Sequence, residues 1–446
     1  MNYERLCCVE VVEIKKLVHG GQGMGELADG RKVFAWNSLP GERVCVRLIK
    51  QKSSYAEAIA EKIMTASPDR VEPIELNYLA TSPWQIMTFE AENRAKVDIV
   101  EELFAHSGLD VVSGKAAGDG EFISPPRALE NPPGVFHYRN KMEYSFWGDD
   151  DGLHLALHQR GRHGKHVVHG SVLAMSDVDA AANAVLDELK RLRVRASDLK
   201  TVIVRCDQKG NAAASLFVKP SKFPRLKLQS QVKNHSSQGS PLNGLRVYHS
   251  NPKSPASVRT RLLYEEGNCR LSDTLLGKEF HYDVDSFFQI NLPVYQQVLE
   301  NIRSICQGDP VDMYAGVGSI GLTVAKEHVM LVELDPATAA MARLNSVQSD
   351  IRSDVIESST EKALEYIVAE RPVIFDPPRA GLHKKVIERC LEVRPPQIIY
   401  LSCNPATQAR DLTLLQQAYC CEGIQVYNFF PRTPHIETLA VLSLKS

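Results

Sequence analysis

At 446 residues, with 43% hydrophobic and 24% charged side chains, the chain is long enough for two or three domains with separate cores and is no disulfide-stapled miniature. A net charge of −2 excludes general adhesion to polyanions while allowing a local basic face. The ten cysteines form no CxxC pair, Cys7-Cys8 and Cys420-Cys421 have neither zinc-finger nor redox spacing, and no signal-peptide core or long apolar run is present, so a soluble cytoplasmic chain with no membrane partner is expected.

In chain order, residues 9–50 read as short strands. "HGGQGMGELADG" and "SLPGER" are turns and "VCVRLIK" alternates at period two, which predicts a small antiparallel barrel ending near residue 62. "AENRAKVDIVEELFAHSGL" changes to a helical period, about 91–110, closed by Ser107-Gly108. Strand signals return in "HYRNKMEYSFW", "GLHLALHQ" and "TVIVRCDQ", giving a mainly-β central domain over 63–280 against which that helix need not pack; the catalytic domain is its expected partner. Histidines crowd between His154 and His169, but His154 and His158 on one strand face would stand about 13 Å apart, too far for one ion, so no metal site is expected and "QRGRHGKH" reads as a phosphate-touching loop. Residues 205–261 hold eleven cations (Arg205, Lys209, Lys219, Lys222, Arg225, Lys227, Lys233, Arg246, Lys253, Arg259, Arg261) against one acid, Asp207. That local +10, broken by the loops "HSSQGSPLNG" and "SNPKSPAS", suits either an RNA-facing surface or a solvated edge.

From residue 281 to 446 strands alternate with helices: "PVDMYAGVGSIGLTVAKE", "VMLVELDPATAAMARLN", "PVIFDPPRAGLHKKVIERCLE", "QIIYLSCNPATQARDLTLLQQA". This predicts a doubly wound α/β, Rossmann-like domain with a parallel sheet, helices on both faces, and ligands at the carboxyl ends of the strands. The chemistry-bearing residues fall at those ends. Gly316, Gly318 and Gly321 allow backbone to approach a ligand, as in nicotinamide, flavin and adenosyl sites alike. Glu333 ends the next strand, where a carboxylate can accept both ribose hydroxyls. No Walker lysine is present, which disfavours triphosphate hydrolysis. Asp376 follows a third strand with Pro377-Pro378 stiffening the turn. Cys403 ends a fourth strand and precedes the helix "ATQARDLTLLQQA", whose N-terminus is expected to raise the thiolate fraction. Glu437 stands between a proline-rich turn and a final apolar strand, where an acid suits either a partly desolvated base or the cap of an edge strand. A thiol, a carboxylate base and an adenosyl-type cofactor suit a carbon that is unreactive by itself, such as carbon 5 of uracil.

"DSFFQIN", "DMYAGVGSIGL", "FDPPRAGL", "YLSCNPATQARDL" and "FPRTPHIET" together resemble the class I S-adenosylmethionine-dependent RNA 5-methyluridine methyltransferases that act on tRNA and rRNA, and the resemblance spans the chain. It implies an N-terminal OB-like TRAM barrel over 1–62, an inserted RNA-binding domain, and a monomer acting on rRNA or tRNA. It assigns Cys403 as nucleophile and Glu437 as proton acceptor, with Asp376 beside the target base. Gln289, Tyr314, Glu333 and Asp376 match S-adenosylmethionine contacts, joined by Gly316, Gly318 and Ser319, the last standing where the family often has asparagine. "YRNKMEYSFW" resembles the family's YRNK segment and makes Arg139 and Lys141 candidates for RNA contact. One departure concerns the [4Fe–4S] cluster of many members: residues 63–204 contain no cysteine, "RVEPIELNYLATSPWQIM" crosses the expected cluster region, and no iron–sulfur cluster is expected.

Three rival readings have distinguishing features. An RNA cytosine-C5 methyltransferase shares the thiol chemistry, but "DPPR" lacks the cysteine such enzymes place after their paired prolines. Adenine N6 methylation also uses an Asp-Pro-Pro turn but needs no thiol. A catalytically silent RNA-binding or folding factor would need neither Cys403 nor Glu437.

Overall fold

The computed structural model describes residues 10–109, 123–127, 134–161, 164–228, 242–254 and 257–445. Cys7-Cys8, the centre of the "QRGRHGKH" loop and most of "HSSQGSPLNG" lie outside the described residues.

Period-two burial builds the first unit. Val12, Val33, Ala35, Val44, Val46, Ala56 and Ala58 point inward from a six-stranded sheet that starts at Glu10–Glu13 and ends with Tyr55–Thr65. The expected antiparallel pattern holds except in one pair. Lys32–Trp36 runs parallel to Tyr55–Thr65, because Arg43–Gln51 takes the other edge of that long strand. Three register shifts between Arg43–Gln51 and Tyr55–Thr65 bend this ribbon.

Residues 68–88, which contain "RVEPIELNYLATSPWQIM", are ordered by ordinary packing. Trp84, Ile86 and Met87 are buried in the core of the catalytic sheet, while Gln85 Nε2 donates to Ser82 Oγ (2.6 Å) and Glu75 Oε1 (3.1 Å). The helix Phe89–His106 follows, with the Thr88 side chain accepting from the Ala91 N–H and Glu90 and Glu92 in the first turn. Ile99, Val100 and Phe104 enter the same core, and the helix lies against Pro405–Leu415.

The central domain is a seven-stranded sheet in the order Lys165–Val168, Gly152–His158, Lys141–Asp149, Leu199–Cys206, Ala212–Val218, Leu242–His249, Arg261–Gly267. Val178, Ala181, Ala182, Val185 and Leu189 of the helix Ser176–Arg191 cover one face. The +10 count of 205–261 does not become one basic surface. Arg205 is buried, Arg246 binds Glu265, Asp283 and Asp285, Lys209 pairs with Glu279, and Arg225 with Glu266. Arg205 and Arg246 leave separate strands while Lys209 and Arg225 sit in the connecting loops, and acids outside the segment pair with all of them but Arg205.

The catalytic sheet has the order Arg352–Glu357, His328–Glu333, Val311–Met313, Val373–Phe375, Gln397–Ser402, Glu437–Leu444, Tyr419–Tyr427, Ile123–Arg127. It is parallel as far as Gln397–Ser402, and Glu437–Leu444 then inserts antiparallel. Alternate residues sort to two cores, Ile398 and Tyr400 to one face and Ile399 and Leu401 to the other, as helices on both faces require. Chain order reverses between Val311–Met313 and Val373–Phe375. At such a switch point the loops diverge and leave a crevice.

Candidate active site

Tyr314 to Gly316 leave one side of that crevice and Asp376 the other. The cleft, partly open to solvent, is lined by Phe287, Gln289, Tyr295, Tyr314, Gly316, Ser319 and Asp376, among others. Tyr314 is held at φ +69°, a left-handed conformation costly for an aromatic residue, so the surrounding structure over-determines it. A Cβ on Gly316 would meet nothing within 4 Å, which marks open space for a ligand; one on Gly321 would lie 2.5 Å from Leu331 and 3.0 Å from Asp312, so that glycine serves helix–strand packing. Gly318 caps the short helix Ser319–Val324 at φ +85°. Glu333 accepts from the Gly316 N–H (2.9 Å) and the Asp335 N–H (2.7 Å), which fixes its carboxylate at the cleft rim. The Ser319 hydroxyl is engaged with Tyr295 Oη at 2.7 Å.

Gln289 is positioned from the central domain. Asn140 Nδ2 donates to Gln289 O (3.1 Å), the Asn140 N–H to Ile290 O (3.2 Å) and Arg205 Nη2 to Phe288 O (3.2 Å). Asn140, inside the quoted YRNK segment, escaped the sequence reading, and Arg205 entered it only as one of eleven cations.

Cys403 and Glu437 meet through sheet register. Ser402 pairs with Thr438 in the antiparallel ladder, so the next residues outward are Cys403 and Glu437, side by side at the sheet's end. Glu437 is 2% exposed, and burial, with the Asp376 carboxylate adding to it, raises its pKa well above the carboxylate range. Burial likewise lifts Asp376 to about 7. The Cys403 thiol corrects the expectation of a helix-stabilised thiolate. Desolvation first, then Glu437 and Asp376, push it up to about 12; opposing them is Arg379, which hydrogen-bonds to it. The helix Pro405–Leu415 does begin two residues on, but burial of the thiol, with the two neighbouring carboxyls adding to it, sets the direction of the shift. Arg379 and His435, whose Nη2 and Nδ1 are 3.4 Å apart, complete this cluster and lie inside the quoted "DPPRAGL" and "FPRTPHIET". Burial and the arginines around it lower the His435 pKa to about 4, leaving a neutral imidazole.

Of the two RNA candidates, Arg139 faces this cluster: the neighbouring Tyr138 hydroxyl donates to Pro431 O (3.0 Å) and the guanidinium lies over the Tyr138 ring. Lys141 points elsewhere, near Arg205, Glu143 and Asp285, where burial lowers its pKa to about 8. His154 donates or accepts within a 3.0 Å contact with Asp149.

A doubly wound domain with a ligand cleft at the switch point, a cysteine against a carboxylate, and two further sheet domains defines a nucleotide-cofactor enzyme of the methyltransferase class. The chain belongs to the tRNA (uracil-5-)-methyltransferase family, whose model matches residues 131–445. Similar curated proteins are an RNA methyltransferase of Listeria monocytogenes serotype 4b, 28% identical over 97% of this chain and 96% of its own length, and one of Enterococcus faecalis, 26% identical with the same two coverages. In three dimensions the chain is similar to the Pyrococcus abyssi tRNA (uracil-54, C5)-methyltransferase crystallised with S-adenosyl-L-homocysteine, with a TM-score of 0.74 at 20% identity over 97% of this chain and 100% of that one. The resemblance drawn from the motifs and the Rossmann-like fold are thereby established.

Proposed function

We propose that this enzyme methylates carbon 5 of a uridine in RNA, with Cys403 as nucleophile, Glu437 as proton acceptor and S-adenosylmethionine as methyl donor. The observation that carries the reading is the register that sets Cys403 beside Glu437 at the rim of the cleft. The cleft fits the donor: Asp376 lines it, Glu333 is held against the Gly316 backbone where ribose hydroxyls can reach it, and the open Gly316 backbone and Gln289 give close approach. When bound, S-adenosylmethionine supplies an electrophilic methyl group. Cys403 Sγ, its thiolate supported by Arg379, adds to carbon 6 of the uracil and pushes the ring electrons to carbon 5. After carbon 5 has gained its methyl group, Glu437 removes the carbon 5 proton; the electron pair re-forms the 5,6 double bond and expels Cys403 as thiolate. Glu437 must be deprotonated for its step, and Arg379 is the cation that favours that form.

The cytosine reading is disfavoured because Arg379, not a second cysteine, follows Asp376-Pro377-Pro378. Mass mapping of 5-methyluridine in total RNA from cells with and without the protein tests the proposal and names the substrate. A methylated uridine in rRNA or tRNA that vanishes with the gene is expected; unchanged 5-methyluridine at every position rejects it.

RNA engagement rests on arginines brought together from different segments. Arg139, Arg160 and Arg379 have no carboxylate within 4 Å among the described residues, and all three influence His435 beside the nucleophile. Arg160 stacks on Trp36 of the barrel at 4.0 Å and gives its Nε to Leu79 O, leaving its terminal amines for phosphate. The slope of log affinity against log salt for the RNA substrate is expected to flatten by about 0.7–0.9 in Arg160→Gln. An unchanged slope removes Arg160 from the interface.

A further inference from the structure

Glu92 and Lys96 pair at 3.0 Å on successive turns of the helix Phe89–His106, and both side chains are fully buried. A pair so deep is tolerated only when its remaining protons and lone pairs are satisfied. One loop satisfies most of them. Lys96 Nζ donates to Asn428 Oδ1 (2.6 Å) and Phe430 O (3.2 Å), while Glu92 accepts from Asn428 Nδ2 (2.9 Å) and, with both oxygens at 3.0 Å, from the Arg432 N–H. Nearby carbonyls are caught from other segments: Phe429 O by Asn291, Pro431 O by the Tyr138 hydroxyl, Arg432 O by the Trp84 N–H. Arg432 itself is bent to φ +64°, which a non-glycine residue adopts only when held.

Three residues beyond this turn stands His435, packed on the Phe430 ring, and five beyond it Glu437. The ladder with Gln397–Ser402 holds the final strand from Thr438 onward, and the ladder with Tyr419–Tyr427 reaches Glu437, which pairs with Tyr427. Asn428, held by the buried pair, directly follows Tyr427, so the 428–432 turn leads straight out of the ladder rung that carries Glu437. We propose that the Glu92–Lys96 pair is a positioning device for Glu437, fixing the 428–432 turn so that the carboxylate meets the carbon 5 proton. This rests on the reading of Glu437 as proton acceptor. Neither residue touches substrate or cofactor; the helix acts through the loop, and so ties the last chemical step to the docking of Phe89–His106 on the catalytic sheet.

The test separates formation of the covalent RNA–protein adduct from its resolution, followed by rapid quench and denaturing gels with RNA and S-adenosylmethionine. In the neutral double variant Glu92→Gln/Lys96→Met, resolution is expected to slow at least tenfold while adduct formation and RNA affinity stay within twofold of wild type. Asn428→Ala, which cuts the tether on the loop side and leaves the helix pair intact, is expected to shift the same ratio and decides the matter if the double variant does not fold. Equal slowing of both steps, or no change in either, overturns the proposal. Glu437→Gln is the control: if it gathers no adduct, the assignment of Glu437 fails first, whereas an adduct there beside normal turnover in the other variants rejects only the positioning role.

Discussion

Cys403→Ser is expected to abolish methyl transfer, by about 10⁴-fold or more in single-turnover rate, with RNA binding and thermal unfolding near those of the wild type. The oxygen is nearly isosteric with the sulfur, and Cys403 is only half-buried, outside the two packed cores of the sheet, so the fold has little reason to respond. The chemistry has every reason. Burial first, and then the neighbouring Glu437 and Asp376, push the thiol up to about 12; a serine hydroxyl starts several units higher, and Arg379 cannot offset that difference. The variant should also lose the covalent adduct entirely, even with Glu437 intact. Methylation at the wild-type rate would show that no thiol adds to the ring, and the adenine N6 chemistry that shares the Asp-Pro-Pro turn would take its place.

Why Cys403 was visible in the sequence and its environment was not follows from what a linear pattern encodes. Buried strands ending in polar residues are local, so Glu333, Asp376 and Cys403 stood out as strand-end residues, and the strand–helix alternation identified the doubly wound sheet. The meeting of Cys403 and Glu437 is not local: it requires the last strand to reverse and insert between Gln397–Ser402 and Tyr419–Tyr427. The thiolate expectation failed for the same reason. A helix start is readable at Asn404-Pro405, whereas the burial of the thiol, and the two carboxyls that add to it from residues 376 and 437, are not. The basic run 205–261 shows the converse error, in which a sum of charges ignores that Arg205 is buried in a strand while Arg225 lies in a loop, and that Asp283 and Asp285 wait to neutralise Arg246. The hydrogen bonds from Lys96 to the loop before Glu437 span more than 330 residues, and no period or motif announces them.

Glu437→Gln is expected to stall the reaction at its last stage and accumulate a methylated covalent RNA adduct that survives denaturing electrophoresis. The amide keeps the size of the side chain but cannot take a proton from carbon 5, and without that loss the 5,6 double bond cannot re-form to expel Cys403. Stability should not suffer. Glu437 is buried with its pKa raised well above the carboxylate range, so the fold favours its neutral form, and the neutral amide is the better match to that burial. The sign follows from linkage: a carboxyl whose folded pKa is raised costs stability as pH rises above its unfolded pKa of about 4.5. Wild type therefore loses that increment on going from acid to neutral pH, and the glutamine variant does not, so the variant's unfolding midpoint should be equal to or higher than the wild type's at pH 7. Stalled adduct with undiminished stability would mark Glu437 as the base, whereas free product released at the normal rate would transfer the role to another group, with Asp376, held near 7 in the same cleft, the first to examine.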